Sequence, residues 1–204
     1  MLWLKLQKML SDGHLSSSSR VLHIAPDKGI VIRLSGVLEA ENYHTADLFP
    51  ELYTKFAPET RRIDLCDLDD WSSENYDLII HSHVLEHTPC NIAYTLYHLH
   101  RMLRQSGRHI FIVPLMGGKY EECFQDIPPE ERRRRLSQED HVRRFGKADI
   151  HAHLGSVLNL PDPPDAEAIY GANTLRAANI PSAVWTGYNG CTVFDLARSD
   201  MKFI

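Results

Sequence analysis

The segment His83-Val-Leu-Glu86-His87 holds two imidazoles and one carboxylate within five residues. If this segment is helical, the three side chains share one face. Imidazole nitrogen and carboxylate oxygen atoms at this spacing suit a divalent metal ion. His141 lies alone in a charged stretch further along the chain and could supply a fourth ligand. The sequence therefore predicts a metal site formed by His83, Glu86, His87 and His141.

Two other interpretations of these residues stay open. Without a metal, His87 or His141 would be the catalytic general base, because a neutral imidazole with a pKa near about 6.5 can accept a hydroxyl proton. In the purely structural interpretation, the histidines and the glutamate only shape a pocket. The pattern also matches an inverted zinc-peptidase motif. We discount that match because the segment follows a buried, strand-like run in what reads as a nucleotide-type sheet.

A second group of candidate residues surrounds a sharp turn near the N-terminus. An apolar run at residues 21–24 ends in Ala25-Pro26-Asp27-Lys28-Gly29, and a second apolar run follows at residues 30–34. This pattern predicts a buried strand, a tight turn and the start of a helix. Asp47 ends the next strand-like run, eighteen residues after Gly29. In a doubly wound sheet an acid at that place meets a ribose hydroxyl, although Asp47 alone could equally cap a helix.

The remaining elements follow the same alternation. Strands are predicted at residues 42–47, 61–67, 76–82 and 109–114, and helices at residues 30–38 and 91–103, with Gly107 just past the second helix. The tail from 183 to 198 reads as two strands around a hairpin-like turn at 187–190. Strands that alternate with helices predict an α/β fold with a doubly wound, mostly parallel sheet and helices on both faces.

Composition and charge restrict the class of protein. The 204 residues favour one domain, and the net charge of −5 argues against a nucleic acid as partner. Four scattered cysteines without a CxxC pair argue against a disulfide framework and for a reducing, cytoplasmic location. Residues 1–10 are too short to span a bilayer. They predict an amphipathic helix that packs on the domain or on a second copy of the chain, as in a homodimer.

Four blocks of the sequence, at residues 21–29, 43–47, 64–67 and 76–87, resemble the class I S-adenosylmethionine-dependent methyltransferases, in particular small type-11-like domains. The resemblance implies a Rossmann-like, mostly parallel seven-stranded sheet with an antiparallel closing strand. It also implies an N-terminal helix and linker at residues 1–19, followed by one methyltransferase domain at 20–204. Within that domain, residues 20–115 would bind the cofactor S-adenosylmethionine, and residues 116–204 would form the acceptor walls and lid.

The resemblance also implies which residues meet the cofactor. The turn would wrap the methionine moiety, Asp47 would hold the ribose hydroxyls, Asp67 would bracket the adenine, and the segment after the fourth strand would lie under the sulfonium. The implied cofactor residues are His23, Ala25, Pro26, Asp27, Gly29, Asp47, Leu48, Asp67, Leu68, His83, Val84 and Leu85.

The predicted function is transfer of a methyl group to a small-molecule acceptor, most simply a hydroxyl, with or without a divalent metal. One alternative is a methyltransferase-like binding module without catalysis. A nicotinamide-dependent oxidoreductase is a weaker alternative, because the turn lacks Gly-x-Gly-x-x-Gly and Pro26-Asp27 would crowd a pyrophosphate. No membrane partner is expected.

Overall fold

The computed structural model describes residues 1–204 and contains nine β-strands and seven α-helices. The strands are β1 (Val21–Ile24), β2 (Tyr43–Asp47), β3 (Arg61–Arg62), β4 (Tyr76–Ser82), β5 (Leu103–Ile112), β6 (Leu115–Met116), β7 (Glu121–Glu122), β8 (Arg143–Gly146) and β9 (Phe194–Ala197). The helices are α1 (Leu2–Ser11), α2 (Lys28–Ser35), α3 (Ile92–Met102), α4 (Pro129–Leu136), α5 (Leu154–Val157), α6 (Ala166–Tyr170) and α7 (Ala172–Ala177).

The main sheet has six strands in the order β3-β2-β1-β4-β5-β9. Every pair in it is parallel except β5 with β9, which closes the sheet antiparallel. The mostly parallel sheet and its antiparallel closing strand agree with the sequence prediction. Three short strands between residues 115 and 146 form a separate sheet in the order β6-β8-β7.

The predicted count of seven strands is wrong because the expected hairpin in the tail does not form. Only β9 joins the sheet there, and Ser182–Val184 is a short 3-10 helix. The side-chain amide of Asn189 donates to the carbonyl oxygens of Val184 and Gly187, at 3.2 and 3.1 Å. These bonds fold the stretch into turns, so its backbone is not free to pair as a strand.

Two apolar clusters hold alternate side chains of the central strands. One joins Val21 and Ile80 to Leu6 of α1 and Leu34 of α2. The other joins strand residues that include Leu22 and Ile79 to Leu99 and Met102 of α3. The apolar face of α1 is therefore buried within the chain, one of the two arrangements that the sequence predicted.

Three predicted boundaries need correction. The third strand stops at Arg62, since the residues that follow turn back in a bridge between Asp64 and Asp67. Helix α2 ends at Ser35, just before Gly36. Gly107 does not follow a helix end but lies inside β5, where a Cβ atom would come within 2.9 Å of the carbonyl oxygen of Tyr76.

The cysteine prediction is also wrong for one pair. Cys66 and Cys90 form a disulfide with a Cα–Cα distance of 5.6 Å. Their separation of 24 residues hid the pair, because the two loops that carry them meet only in the folded chain. Cys123 and Cys191 are free. No helix has the length and apolar character that crossing a membrane requires.

Three buried histidines form a hydrogen-bonded chain between the sheet and α3. His109 lies between His81, with 2.9 Å between their Nε2 atoms, and His100, with 3.2 Å from His109 Nδ1 to His100 Nε2. His100 Nδ1 lies 3.3 Å from the carbonyl oxygen of Arg198, which can only accept. His100 Nδ1 therefore donates, and the donors further along are His109 Nδ1 and His81 Nε2. His81 Nδ1 has no partner, as expected of a bare lone pair.

The three hydrogen-bonded histidines should make the stability of the fold sensitive to acid. Burial lowers the pKa of His81 to about 3 and of His100 to about 4, and lowers that of His109 well below its usual value. In the unfolded chain the same groups bind protons below about pH 6.5. As the pH falls from 6.5 towards 4, each such histidine should reduce the free energy of unfolding by up to about 1.4 kcal/mol per pH unit.

Denaturant unfolding between pH 8 and pH 4.5 measures this dependence. His81→Phe removes one titrating group and should make the decline shallower, whereas His14→Gln changes an exposed histidine and should leave it unaltered. A free energy of unfolding that stays constant from pH 7 to pH 5 would show that the three hydrogen-bonded histidines are not neutral in the folded protein.

Candidate functional site

A cavity of about 520 Å³ opens where β1, β2 and β4 reach their carboxyl ends. Its volume lies in the range of small-molecule sites. Most of its walls are apolar, with a few polar side chains among them. The lining residues are Ile24, Ala25, Asp47, Leu48, Phe49, Leu52, Tyr53, Ile63, Asp64, Leu65, Cys66, His83, Val84, His87, Thr88, Pro89 and Asp140.

The turn after β1 contributes Ala25 to the cavity. Ala25 has a φ of +49°, in the left-handed region, and its N–H donates to the carbonyl oxygen of Ala46 at 2.9 Å. Asp27 instead caps α2, because its Oδ1 accepts the N–H of Ile30 at 3.1 Å. Pro26 is buried. Gly29 lies in the first turn of α2, so Pro26, Asp27 and Gly29 are not among the cavity-lining residues.

His23 also lies outside the cavity. It is buried in β1, and its Nδ1 lies 2.7 Å from the hydroxyl of Tyr43. Burial lowers the pKa of His23 to about 3, so this imidazole is neutral. Its role in this structure is a satisfied polar contact inside the sheet.

Asp47 ends β2 with its carboxylate held in place. Oδ1 accepts the N–H of Phe49 at 2.8 Å, and Oδ2 accepts the hydroxyl of Tyr53 at 2.9 Å. Burial, and after it this hydrogen bond, raise the pKa of Tyr53. Each carboxylate oxygen can accept a further hydrogen bond. The cavity therefore contains a preoriented acceptor pair beside Leu48.

The acid of the next strand differs from the predicted one. Asp64 lines the cavity, and its Oδ1 accepts the N–H of Cys66 at 2.8 Å. Asp67 is exposed and is not among the lining residues. Leu68 is fully buried, with its N–H donated to the hydroxyl of Tyr94 at 2.8 Å. Because β3 is only two residues long, the chain turns at Asp64, three residues earlier than the sequence predicted.

The end of β4 places His83 at the cavity. His83 has a φ of +55°, and its half-exposed side chain brings Nδ1 within 3.3 Å of Glu86 Oε1. The hydrogen bond to Glu86 raises the pKa of His83. Val84 also lines the cavity, whereas Leu85 is fully buried in the apolar core.

Glu86, His87 and His141 come together, with one candidate ligand atom from each lying within 4.8 Å of the others. The rings of His87 and His141 meet edge to face at a centroid distance of 4.8 Å. Glu86 is 1% exposed, and its Oε2 has no hydrogen-bond partner. An unpartnered buried carboxylate oxygen beside two imidazoles fits a divalent cation. His83 contacts Glu86 but lies outside this group, so three of the four predicted ligands converge.

Arg143 supports the segment that carries these residues. Its guanidinium is fully buried and donates to the carbonyl oxygens of Leu85 and Cys90, at 2.9 and 2.5 Å, and to the hydroxyl of Thr88 at 2.8 Å. Burial lowers the pKa of Arg143. The charged residues around Arg143 in the sequence gave no sign that this side chain is buried under the loop.

Several lining residues had no sequence signal. Leu52 and Tyr53 belong to the short 3-10 helix Pro50–Tyr53 after β2, and Phe49 directly precedes it. Thr88 and Pro89 belong to the loop before α3. They follow motif residues without forming a pattern of their own. Only proximity to Asp47 and His87 in the chain could have suggested them.

Neither a protein-family model nor a curated protein matches this sequence. Solved structures do match. A Burkholderia thailandensis 1,6-didemethyltoxoflavin-N1-methyltransferase, solved with 1,6-didemethyltoxoflavin and S-adenosylhomocysteine, has a TM-score of 0.52 and 14% identity over 93% of this chain and 73% of its own. The YcgJ protein of Bacillus subtilis has a TM-score of 0.51 and 15% identity over 87% of this chain and 78% of its own.

A candidate methyltransferase of Bacillus halodurans has a TM-score of 0.51 and 17% identity, over 78% of this chain and 70% of its own. At these identities the likeness establishes a shared fold. It does not identify a substrate.

Replacing Arg143 with Met should destabilise the protein strongly. The change removes the guanidinium donors from the carbonyl oxygens of Leu85 and Cys90 and from the hydroxyl oxygen of Thr88. The oxygen of Leu85 keeps one donor, the hydroxyl of Thr88, so the free energy of unfolding should fall by about 2 kcal/mol or more. Arg144→Met is the matched control. Arg144 is partly exposed and pairs with Glu121 at 3.4 Å, so its loss should stay below about 1 kcal/mol. Denaturant unfolding measures both, and equal losses would contradict a supporting role for Arg143.

Proposed function

We propose, from the class I S-adenosylmethionine-dependent methyltransferase fold of this chain, that the protein binds S-adenosylmethionine and methylates a hydroxyl of a small-molecule acceptor. The observation that carries this proposal is the cavity that joins Ala25, Asp47 and His83 at one edge of the sheet. Parallel α/β sheets bind their ligands at the carboxyl ends of the strands, where this cavity lies.

Asp47 is the proposed ribose-binding residue. Its two oxygens are oriented by Phe49 and Tyr53 before any ligand enters, so little conformational entropy is lost when ribose hydroxyls bind. The apolar walls formed by Leu48, Ile63 and Leu65 suit the face of a purine. Asp64, which the cavity contains in place of Asp67, would accept from polar groups at the nucleoside end.

When bound, S-adenosylmethionine supplies an electrophilic methyl group on a sulfonium. The residues of the chain then have to hold the acceptor in line and exclude water, and such positioning accounts for a large part of the barrier reduction. Val84 and His83, directly after β4, are the proposed floor of the transfer site. We propose that residues 20–115 bind the cofactor and that residues 116–204 complete the acceptor side, where Asp140 reaches the cavity.

His87 is the proposed proton acceptor for the hydroxyl. Its Nδ1 lies 3.3 Å from the carbonyl oxygen of Asp140, which can only accept, so Nδ1 carries the proton. His87 Nε2 is then the basic atom, on a side chain that lines the cavity. His141 is the same tautomer, because its Nδ1 lies 3.0 Å from the carbonyl oxygen of Leu136, but its ring is buried behind His87. We assign it the role of orienting His87.

A divalent metal is the second form of this proposal. Glu86, His87 and His141 would hold it, and the ion would lower the pKa of the acceptor hydroxyl as a Lewis acid. The unpartnered Oε2 of Glu86 is the observation that favours it.

Calorimetric titration tests the cofactor assignment. S-adenosylmethionine and S-adenosylhomocysteine should bind, and NAD should not. Asp47→Asn should weaken S-adenosylhomocysteine about 10- to 100-fold, since it removes hydrogen bonds to a charged acceptor. Asp67→Asn, outside the cavity, should leave the affinity unchanged. The proposed site would be refuted if neither S-adenosylmethionine nor S-adenosylhomocysteine binds. It would also be refuted if Asp67→Asn weakens binding more than Asp47→Asn does.

Metal analysis tests the second form. Protein purified without chelator or affinity-tag metal should contain about one zinc, manganese or other divalent ion per chain. His87→Ala and His141→Ala should lose it, whereas His83→Ala should retain it because His83 lies outside the converging group. Protein that is free of metal and takes up none on titration would leave His87 as a base without metal help.

A further inference from the structure

The Cys66–Cys90 disulfide joins two walls of the cavity. Cys66 lines the cavity itself, in the turn with Asp64 and Leu65. Cys90 directly follows Thr88 and Pro89, which line the cavity in the segment between β4 and α3. The disulfide is therefore a covalent connection between two segments that line the proposed nucleoside site.

Hydrogen bonds also hold each wall in place. Arg143 binds the carbonyl oxygen of Cys90 and the hydroxyl of Thr88 from beneath the second loop. Hydrogen bonds also join the segment after Cys66 to α3, which begins two residues after Cys90. Thr95 donates to the carbonyl oxygen of Leu65 at 3.0 Å, the N–H of Leu68 donates to the hydroxyl of Tyr94 at 2.8 Å, and Arg101 donates to the carbonyl oxygen of Leu68 at 2.6 Å. Without the disulfide, these bonds to α3 and apolar contacts would have to set the distance between the two loops.

Both half-cystines can meet a soluble thiol. Cys66 and Cys90 are each only partly buried, and Cys66 faces an open cavity. The methyl-transfer proposal uses neither sulfur atom. A reversible crosslink at the edge of a ligand site can couple ligand affinity to the redox state of the surroundings, because the ligand then binds the two states unequally.

We propose that the Cys66–Cys90 disulfide is a redox latch on the cofactor cavity. The oxidised protein holds the two loops at the spacing that fits the nucleoside end of S-adenosylmethionine, and reduction releases them and weakens binding. The latch regulates the site described under the proposed function and rests on it.

The chemistry of the latch is a two-electron exchange with a dithiol. A thiolate of the dithiol attacks one sulfur, the Cys66–Cys90 bond breaks, and a mixed disulfide forms. The second dithiol sulfur then displaces the protein sulfur. Two protein thiols result, each with one proton, and the dithiol leaves as its own disulfide.

The test uses the Cys123→Ser/Cys191→Ser double variant of the full chain, in which the latch holds the last two cysteines. S-adenosylhomocysteine is titrated into air-oxidised protein and into protein kept in dithiothreitol. We expect about tenfold weaker binding in the reduced protein, equivalent to the cost of ordering one or two flexible side chains. Cys90→Ser, which changes no cavity-lining residue, should bind at the weaker level under both conditions.

Reciprocity gives a second measurement on the same protein. If the oxidised form binds about tenfold more tightly, saturating S-adenosylhomocysteine should lower the reduction potential of the pair by about 30 mV. Thiol labelling across a series of reduced and oxidised dithiothreitol mixtures measures this shift and does not require a soluble Cys90 variant.

The outcomes separate the latch from the proposed function. Equal affinity in the oxidised and reduced protein, tighter binding after reduction, or two free thiols in air-oxidised protein would overturn the latch and leave the methyltransferase assignment intact. No binding of S-adenosylhomocysteine in either state would overturn both.

Discussion

Parallel pairing of β1 with both β2 and β4 is the constraint on which the site depends. The register puts Ile24 beside Ala46 on one side and His81 on the other. The three strands therefore end within one residue of the same level, and the cavity forms between the segments that follow them. All four residues of β1 are buried, so its position is fixed by burial on both faces rather than by any residue of the site.

Irregular backbone around this edge is stabilised by side chains where secondary structure is missing. The loop from Leu85 to Cys90 has carbonyl oxygens that no strand or long helix can satisfy. The guanidinium of Arg143 supplies several donors in a fixed planar arrangement, which explains why one charged side chain is buried there. On the opposite wall, Asp47 does the same for Phe49 with a carboxylate. These side-chain bonds hold the loops around the cavity where secondary structure is missing.

Local patterns predicted the parts of the molecule that local physics determines. The bounds of β4 follow from an unbroken apolar run, and Asp47 was found because a strand visibly ends there. Helix α3 was found within a residue at each end from its apolar periodicity.

The corrected predictions have two physical reasons, a local bridge and contacts between distant parts of the chain. Asp64 lines the cavity and Asp67 does not, because the chain turns back in a bridge after β3. Gly107 lies in β5, where a Cβ atom would come too close to the carbonyl oxygen of Tyr76. Cys66 and Cys90 are far apart in sequence, and no periodic signal links them. For Gly107 and the two cysteines the deciding partner belongs to another part of the chain, and the neighbouring residues do not indicate it.

The turn after β1 offers the cavity few free hydrogen-bond donors. The N–H of Ala25 is already bonded to Ala46, and Pro26 has no N–H to offer. A zwitterionic ligand tail that reaches this point would keep part of its hydration shell, because the main chain offers little in exchange. Most of the affinity for a nucleoside ligand would then come from its sugar and base. Ligands that differ only in the length or charge of the tail would bind with similar affinity.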